Sequence, residues 1–352
     1  MPPAERLAAR TLELVDIASE SRAEAPLADH VLRILRDGGV AARDVGDTCV
    51  LAGATERARR SLVLLAGHLD TVPAQGNQPG RRDAGAVHGL GAADMKGALA
   101  VMIELALART AASVDLGFVF FGREELPFDQ SALGPLLERE PGLRTADLAV
   151  VMEPTANELH AGCLGNVNAT WTFRGRSGHS ARPWLADNAV HRAAAAIDML
   201  AGVRPEAHEL DGLTFSEVVS VTRVAGGIAS NVIPAEAVAG VNFRYAPDRS
   251  AAEAEARLHD WCDPFGELEI EANAPSAGVA TDNPLVRRLA AAGDLELAPK
   301  QAWTPVAEFA AAGVDAINFG PGDPAQAHAR DEHVAVDALA RSYAVLEAFA
   351  CA

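Results

Sequence analysis

Residues 61–70 read SLVLLAGHLD. Leu62 to Ala66 form an uninterrupted apolar run of strand length, and the run ends on two groups with chemistry, His68 and Asp70. A strand without polar alternation is buried on both faces, which is the habit of parallel sheets covered by crossover helices. The same grammar recurs along the chain. Leu116–Phe121 is followed by Glu124 and Glu125, Leu148–Met152 by Glu153, and Ala316–Phe319 leads through a Gly/Pro loop to His328. Between the first two runs lies KGALAVMIELALAR, Lys96 to Arg109, a helical stretch apolar on nearly every side and therefore expected inside. Pro3 to Gly39 carries helical periodicity in two stripes, Leu7, Leu12, Leu14, Val15 and Ile17, then Leu27, Val31, Leu32 and Ile34 before Gly38-Gly39. Strands of this kind alternating with helices predict an α/β fold with a mostly parallel sheet.

The middle of the chain reads differently. Asn168–Arg174, Glu217–Val224 and Ala237–Tyr245 are amphipathic strands, and a helix, Asp187–Leu200, sits among them. Alternation of this kind predicts an antiparallel α+β layer. The α/β character returns from about Thr281. The expected architecture is one α/β domain built from both chain ends, residues 1–165 and 276–352, with an α+β domain, 166–275, inserted between.

Composition agrees with two domains. The chain has 352 residues, 49% hydrophobic and 22% charged, which supports a sizeable core. Thirty Lys and Arg against 48 Asp and Glu give a net charge of −18, which argues against nucleic acid or an anionic membrane as partner. Cys49, Cys163, Cys262 and Cys351 are too scattered for a cysteine zinc module or a disulfide scaffold. The first residues, MPPAERLAARTLELVD, have no signal-peptide core, and no run approaches the roughly 20 apolar residues of a membrane span. A cytoplasmic location is expected.

Ligands of open α/β sheets bind beyond the carboxyl ends of the strands. Every run named above ends there on a histidine or a carboxylate, and Asp94, in GLGAADMKG, stands just before the buried helix. Taken singly, each has an ordinary reading: a satisfied histidine, a solvated glutamate pair, an aspartate capping a helix. Taken together, Asp70, Asp94, Glu124, Glu125 and Glu153 would bring five negative charges to one sheet edge, and two divalent cations would offset four of them. Imidazole and carboxylate without thiolate suit zinc. Two histidines and three carboxylates make two equivalent sites if one carboxylate bridges, with a shared water completing each. His68 and Asp70 share a strand face, so Asp70 is placed to accept the second imidazole N–H. Of Glu124 and Glu125, one can bind metal while the other faces the water. GLGAAD is no dinucleotide fingerprint, because Asp94 occupies the position of its last glycine and no clean strand precedes it.

Eight stretches carry a family likeness: GHLDTVP (67–73), GLGAADMKG (89–97), Glu124-Glu125, MEPT (152–155), SGHSARPWLADNAVHRAA (177–194), SNVIP (230–234), NFRYAPDRS (242–250) and FGPGDPAQAHARDEHV (319–334). In these the chain resembles the M20 family of co-catalytic metallopeptidases and deacylases, most of all its desuccinylase branch. The resemblance implies a zinc-hydrolase catalytic domain with an inserted lid and dimerisation domain, and two Zn²⁺ per subunit, Co²⁺ or Mn²⁺ being able to substitute. His68, Asp94 and Glu153 would hold one ion, and Asp94, Glu125 and His328 the other. Glu124 would be the general acid/base and Asp70 the partner of His68. His179 would be donated across a homodimer to the other subunit's site, and Asn231, Arg244 and Thr304 would touch substrate. The implied reaction is hydrolysis of an N-acyl amino acid, first N-succinyl-LL-2,6-diaminopimelate to succinate and diaminopimelate, second another N-acyl amino acid or a dipeptide. A non-catalytic binding protein of the same fold is disfavoured by the complete ligand set. Leu90, Cys163, Asn166, Pro305 and Glu308 depart from the family's usual residues, and these departures bear on specificity.

Overall fold

The computed structural model describes residues 2–108 and 112–352. The chain divides into two compact units, Met1–Gly162 with Val279–Lys300 and Thr304–Ala352, and Cys163–Gly278 with Gln301–Trp303.

Four parallel strands form the centre of the first unit: β1 (Leu62–His68), β2 (Asp115–Phe121), β3 (Leu148–Val151) and β4 (Ala316–Asn318), in the order β2-β1-β3-β4. Every residue of β1 and of β3 is buried, as continuous apolar runs require. Among the described residues the sheet has eight strands. Val50–Gly53 and Ala42–Asp44 extend the β2 side antiparallel, and Leu159–Ala161 and Leu297–Pro299 extend the β4 side. The sheet is thus mostly parallel at its centre and mixed at its rims.

The buried helix runs Gly97–Ala108 and is buried from Gly97 through Ala106. It starts one residue later than the apolar pattern predicts, because Asp94 (φ −125°, ψ 91°) and Met95 (φ −134°, ψ 34°) leave the helical region just before it. The Arg109 end of the predicted stretch lies outside the described residues. Gly67 lets this helix approach β1: a Cβ there would lie 2.7 Å from Met95 Cε and 2.8 Å from Leu99 Cδ2. Helices Pro3–Val15 and Val336–Cys351 pack against it. Its one charged residue, Glu104, is paired at 3.0 Å with Arg6 and 3.2 Å with Arg10, so the carboxylate is not left alone in the core. The predicted N-terminal stripe is two helices, Pro3–Val15 and Ala25–Asp37.

A small three-stranded sheet, Arg81–Arg82, Ala86–His88 and His333–Ala335, escaped the sequence reading because its strands are two or three residues long. It brings the chain after His328 beside the segment that leads to Asp94.

The second unit is a five-stranded antiparallel sheet in the order Glu206–Leu210, Leu213–Gly226, Glu236–Tyr245, Gly165–Arg174, Glu267–Ala274. Gly165–Arg174 alternates buried and half-buried positions as its amphipathic sequence predicts. Helices Ala189–Ala201 and Ala251–Cys262 pack on the sheet around Trp171, Phe173, Phe243 and Tyr245. Asn188 sets the start of the first by accepting from the Val190 and His191 amides, and Ser250 with Glu253 forms a capping box on the second. Strand Leu213–Gly226 outruns its neighbour, which pairs only with residues 213–217. Among the described residues no strand covers the outer edge of 218–226. None of the four cysteines is in a disulfide, Cys351 alone is exposed, and no helix among the described residues is long and apolar enough to cross a membrane.

Candidate metal centre

His68 closes β1, Glu124 and Glu125 follow β2, Glu153 follows β3, and His328 follows β4 by a loop. The parallel strands therefore deliver all five to the carboxyl edge of one sheet. Asp94 joins them from the irregular segment Ala92–Lys96. Its two oxygens face two different imidazoles: Oδ1 is 3.0 Å from His68 Nε2, and Oδ2 is 3.7 Å from His328 Nε2. Glu153 Oε1 lies 3.8 Å from His68 Nε2 on one side, and Glu125 lies 3.0 Å from His328 Nε2 on the other. Ligand atoms of His68, Asp94 and Glu125, and of His68, Glu124 and Glu153, each gather within 4.8 Å.

The electrostatics of the cluster are those of crowded carboxylates facing two imidazoles. Burial opposes charge on His68, yet its hydrogen bond to Asp94 and the charges of Asp94, Glu124 and Glu153 hold the imidazole well above its ordinary value. The Glu125 hydrogen bond raises His328 to about 9. Burial, then the Glu153 charge, pushes Glu124 well above the carboxylate range, and burial with the Asp94 charge pushes Glu153 to about 7. Asp94 is held low by His68 and His328 in spite of its own burial. Protons on these groups offset the crowded charge, and divalent cations would displace them and take over that neutralisation. Glu153 Oε1 is buried without a hydrogen-bond partner, an acceptor with no donor in reach, which fits a metal ligand.

Asp70 differs from expectation. His68 Nδ1 donates to the backbone carbonyl of Asp70 at 3.0 Å, while the Asp70 carboxylate stands 3.6 Å from that nitrogen. The carboxylate instead accepts the backbone N–H groups of Glu124 and Glu125, both at 3.0 Å, and the Ser21 hydroxyl at 2.7 Å. The turn after β2 points two amides at Asp70, and its carboxylate gains more by accepting both of them than by accepting one imidazole N–H. Arg123, at φ +62°, makes that turn and is fixed by a two-pronged pair with Asp47 at 2.7 Å. Glu24, also buried, accepts from the amides of Arg22 and Arg123.

Two further buried carboxylates, Glu332 and Glu308, make contacts that local sequence does not announce. Glu332 accepts from the amides of Gly91, Ala93 and Asp94, and burial raises it to about 7. Lys96, equally buried, donates to the Ile17 carbonyl at 2.7 Å. Glu308, read from sequence as a departure bearing on specificity, is buried and accepts the Gly134 amide at 2.8 Å, which caps helix Leu133–Arg139 from a distant element. Thr304 is buried just ahead of helix Val306–Ala311.

The remaining candidates belong to the second unit. His179 is exposed in the pair Gly178–His179 and Val232–Ile233, and its Nδ1 accepts the Ala181 amide at 3.1 Å, which leaves Nε2 as the donor. Asn231 lies beside it, its carbonyl accepting from the Ser180 amide at 3.0 Å. Arg244, on Glu236–Tyr245, donates from Nε to Asn242 at 3.0 Å, and burial lowers its guanidinium from the ordinary value.

Hard oxygen and nitrogen ligands, with one carboxylate set between two imidazoles, belong to metal-dependent hydrolases that activate water for attack on an amide. The sequence pattern of Peptidase family M20/M25/M40 matches residues 64–352, and the chain belongs to that family. It is accordingly a metal-dependent amide hydrolase. It is 42% identical over 328 residues to a Mycobacterium tuberculosis protein that carries the name DapE, covering 93% of this chain and 92% of the other. It is 36% identical to the succinyl-diaminopimelate desuccinylase of Corynebacterium glutamicum, covering 96% and 94%. Among solved structures it resembles aminopeptidase PepT of Bacillus cereus, with a TM-score of 0.79 and 20% identity over 99% of this chain and 98% of that one, a likeness of fold.

Proposed function

We propose that the chain is a dizinc hydrolase that releases succinate from N-succinyl-LL-2,6-diaminopimelate. The observation that carries the two-ion reading is Asp94, whose separate oxygens face His68 and His328. The 42% and 36% identities over nearly the whole chain support the substrate. His68, Asp94 and Glu153 would hold one ion, and Asp94, Glu125 and His328 the other. The ions would supply Lewis acidity, lowering the pKa of a water and polarising the scissile carbonyl.

The chain's own groups do the rest. Glu124 accepts a proton from the attacking water and returns it to the amine nitrogen as the C–N bond breaks, a task suited to a carboxylate that lies beside His68 and Glu153. Asp70 holds the Glu124 and Glu125 backbone in place. His179 Nε2–H is a donor for the developing oxyanion, and Arg244 a cation for a substrate carboxylate. Donation of His179 to a neighbouring subunit requires a homodimer through the second unit, and the open edge of residues 218–226 supports one, because an uncovered strand edge is a template for pairing.

The test is a panel of N-succinyl, N-acetyl and dipeptide substrates with zinc-loaded protein. A kcat/KM for N-succinyl-diaminopimelate at least about 100-fold above the others supports the assignment (about 2.7 kcal/mol). A preference for an N-acetyl amino acid or a dipeptide reassigns the substrate.

A further inference from the structure

Glu332 is 2% exposed and ties together two segments more than two hundred residues apart. Its Oε2 accepts the Gly91 amide at 2.8 Å, and its Oε1 accepts the amides of Ala93 and Asp94, both at 2.9 Å. Its backbone carbonyl accepts the Gly89 amide at 3.0 Å. Residues 89–94 have no regular ladder of their own: Gly91 sits at φ +78° and Asp94 outside the helical region, so their buried N–H groups need an external acceptor. A single carboxylate supplies it for three of them.

The same residue lies four positions after His328. The loop holding that histidine is fixed from the other side, where Gln75 donates to the His328 carbonyl at 3.0 Å, and Val334 pairs with Val87 in the small sheet. Asp94 and His328 are therefore referenced to one another through Glu332, and Asp94 Oδ2 stands 3.7 Å from His328 Nε2. We propose that Glu332 is a positioning residue that sets the Asp94–His328 separation and so completes the second metal position; this rests on the metal-centre reading above.

Glu332→Gln keeps size and shape but must turn an NH2 toward at least one backbone N–H, donor against donor. The test compares metal-free wild type, Glu332→Gln, Glu332→Asp and, as control, Glu104→Gln, which disturbs a buried carboxylate of the same unit remote from the centre. Zn²⁺ affinity is measured by competition with a chromogenic chelator, stoichiometry by elemental analysis, geometry by the visible spectrum of the Co²⁺-loaded protein, and folding by the Tm of the metal-free chain. Glu332→Gln is expected to weaken one of two bound ions by about 10- to 100-fold and to change the Co²⁺ spectrum. Glu104→Gln is expected to lower Tm while leaving affinity and spectrum unchanged. Wild-type affinity and spectrum in Glu332→Gln, or an equal loss in Glu104→Gln, overturns the proposal. Should Glu332→Gln not fold, Glu332→Asp decides, since its carboxylate is withdrawn from the three amides: weakened Zn²⁺ supports the proposal and wild-type affinity overturns it. A wild type that itself binds no ion sinks the metal-centre reading together with this one, and is distinguishable because the failure is not confined to the variants.

Discussion

The Asp70 carboxylate bridges two consecutive backbone amides, Oδ1 accepting from Glu124 and Oδ2 from Glu125, each at 3.0 Å. The neighbouring Glu side chains meet different partners, Glu125 facing His328 and gathering with His68 and Asp94, and Glu124 gathering with His68 and Glu153. Asp70→Asn turns one N–H donor against another and loosens both residues at once. A fall of about 10- to 100-fold in kcat is expected, with reduced metal content from the displaced Glu125. Steady-state kinetics paired with elemental analysis checks this, and wild-type values for both would show that the bridge does not matter. Ser21→Ala, which removes only the 2.7 Å hydroxyl contact, is expected to be mild.

Glu124 and Glu125 are separable by the same pair of measurements. Glu124→Gln should retain both ions and lose about 10²- to 10⁴-fold in kcat, because the amide cannot carry the proton. Glu125→Gln should lose an ion if the side chain 3.0 Å from His328 is the ligand, as proposed. The reverse pattern would exchange the two roles.

Glu308 gives stability a pH dependence of defined sign. Burial raises its carboxyl from 4.5 to about 7, so between those values the folded chain holds a proton that the unfolded chain has released. Its cost to folding is absent below about pH 4.5, grows as pH rises, and is complete above about pH 7, on the order of 3 kcal/mol. Glu308→Gln keeps an oxygen for the Gly134 amide and removes the charge. The variant should melt a few degrees above wild type near pH 8 and much closer to it near pH 5. Thermal unfolding of the metal-free proteins at both values decides, and a difference independent of pH would place the cause elsewhere.

Complementation between subunits tests the placement of His179. Homodimers of Glu124→Gln and of His179→Ala are each expected to be nearly inactive. After subunit exchange, a mixed dimer carries one site with both a wild-type Glu124 and a partner's His179, so activity should return to a fraction of wild type. No recovery, with exchange demonstrated by mass or fluorescence, would count against a shared site.

Much of the candidate centre is legible in the sequence because its residues sit at the ends of strands that announce themselves locally. Leu62–Ala66 is an apolar run of strand length that the structure shows as a buried strand, and the residues just past the end of a parallel strand face the binding edge. His68, Glu124, Glu125, Glu153 and His328 are reached this way, and Asp94 by its place before a helix too apolar to lie outside. Glu308 stands out by its identity, but its contact with Gly134 could not be foreseen, since that helix end lies 174 residues away.

Local sequence sets the periodic part: apolar runs, an apolar helix, an amphipathic insert and the residue types at each strand end. Such features depend on local pattern and burial. Which groups hold the residues of the candidate centre in place depends on the folded topology. By sequence the Asp70 carboxylate is placed to accept from His68, two residues away; in the folded chain the Asp70 carbonyl takes that N–H, with the carboxylate 3.6 Å from it, and the carboxylate also accepts the amides of Glu124 and Glu125. Glu332 reads as one acid among many and collects three amides from residues 91–94. The reason is physical: a buried backbone N–H donates to whichever oxygen the folded chain brings within about 3 Å, and that neighbour is set by topology, which no local pattern encodes.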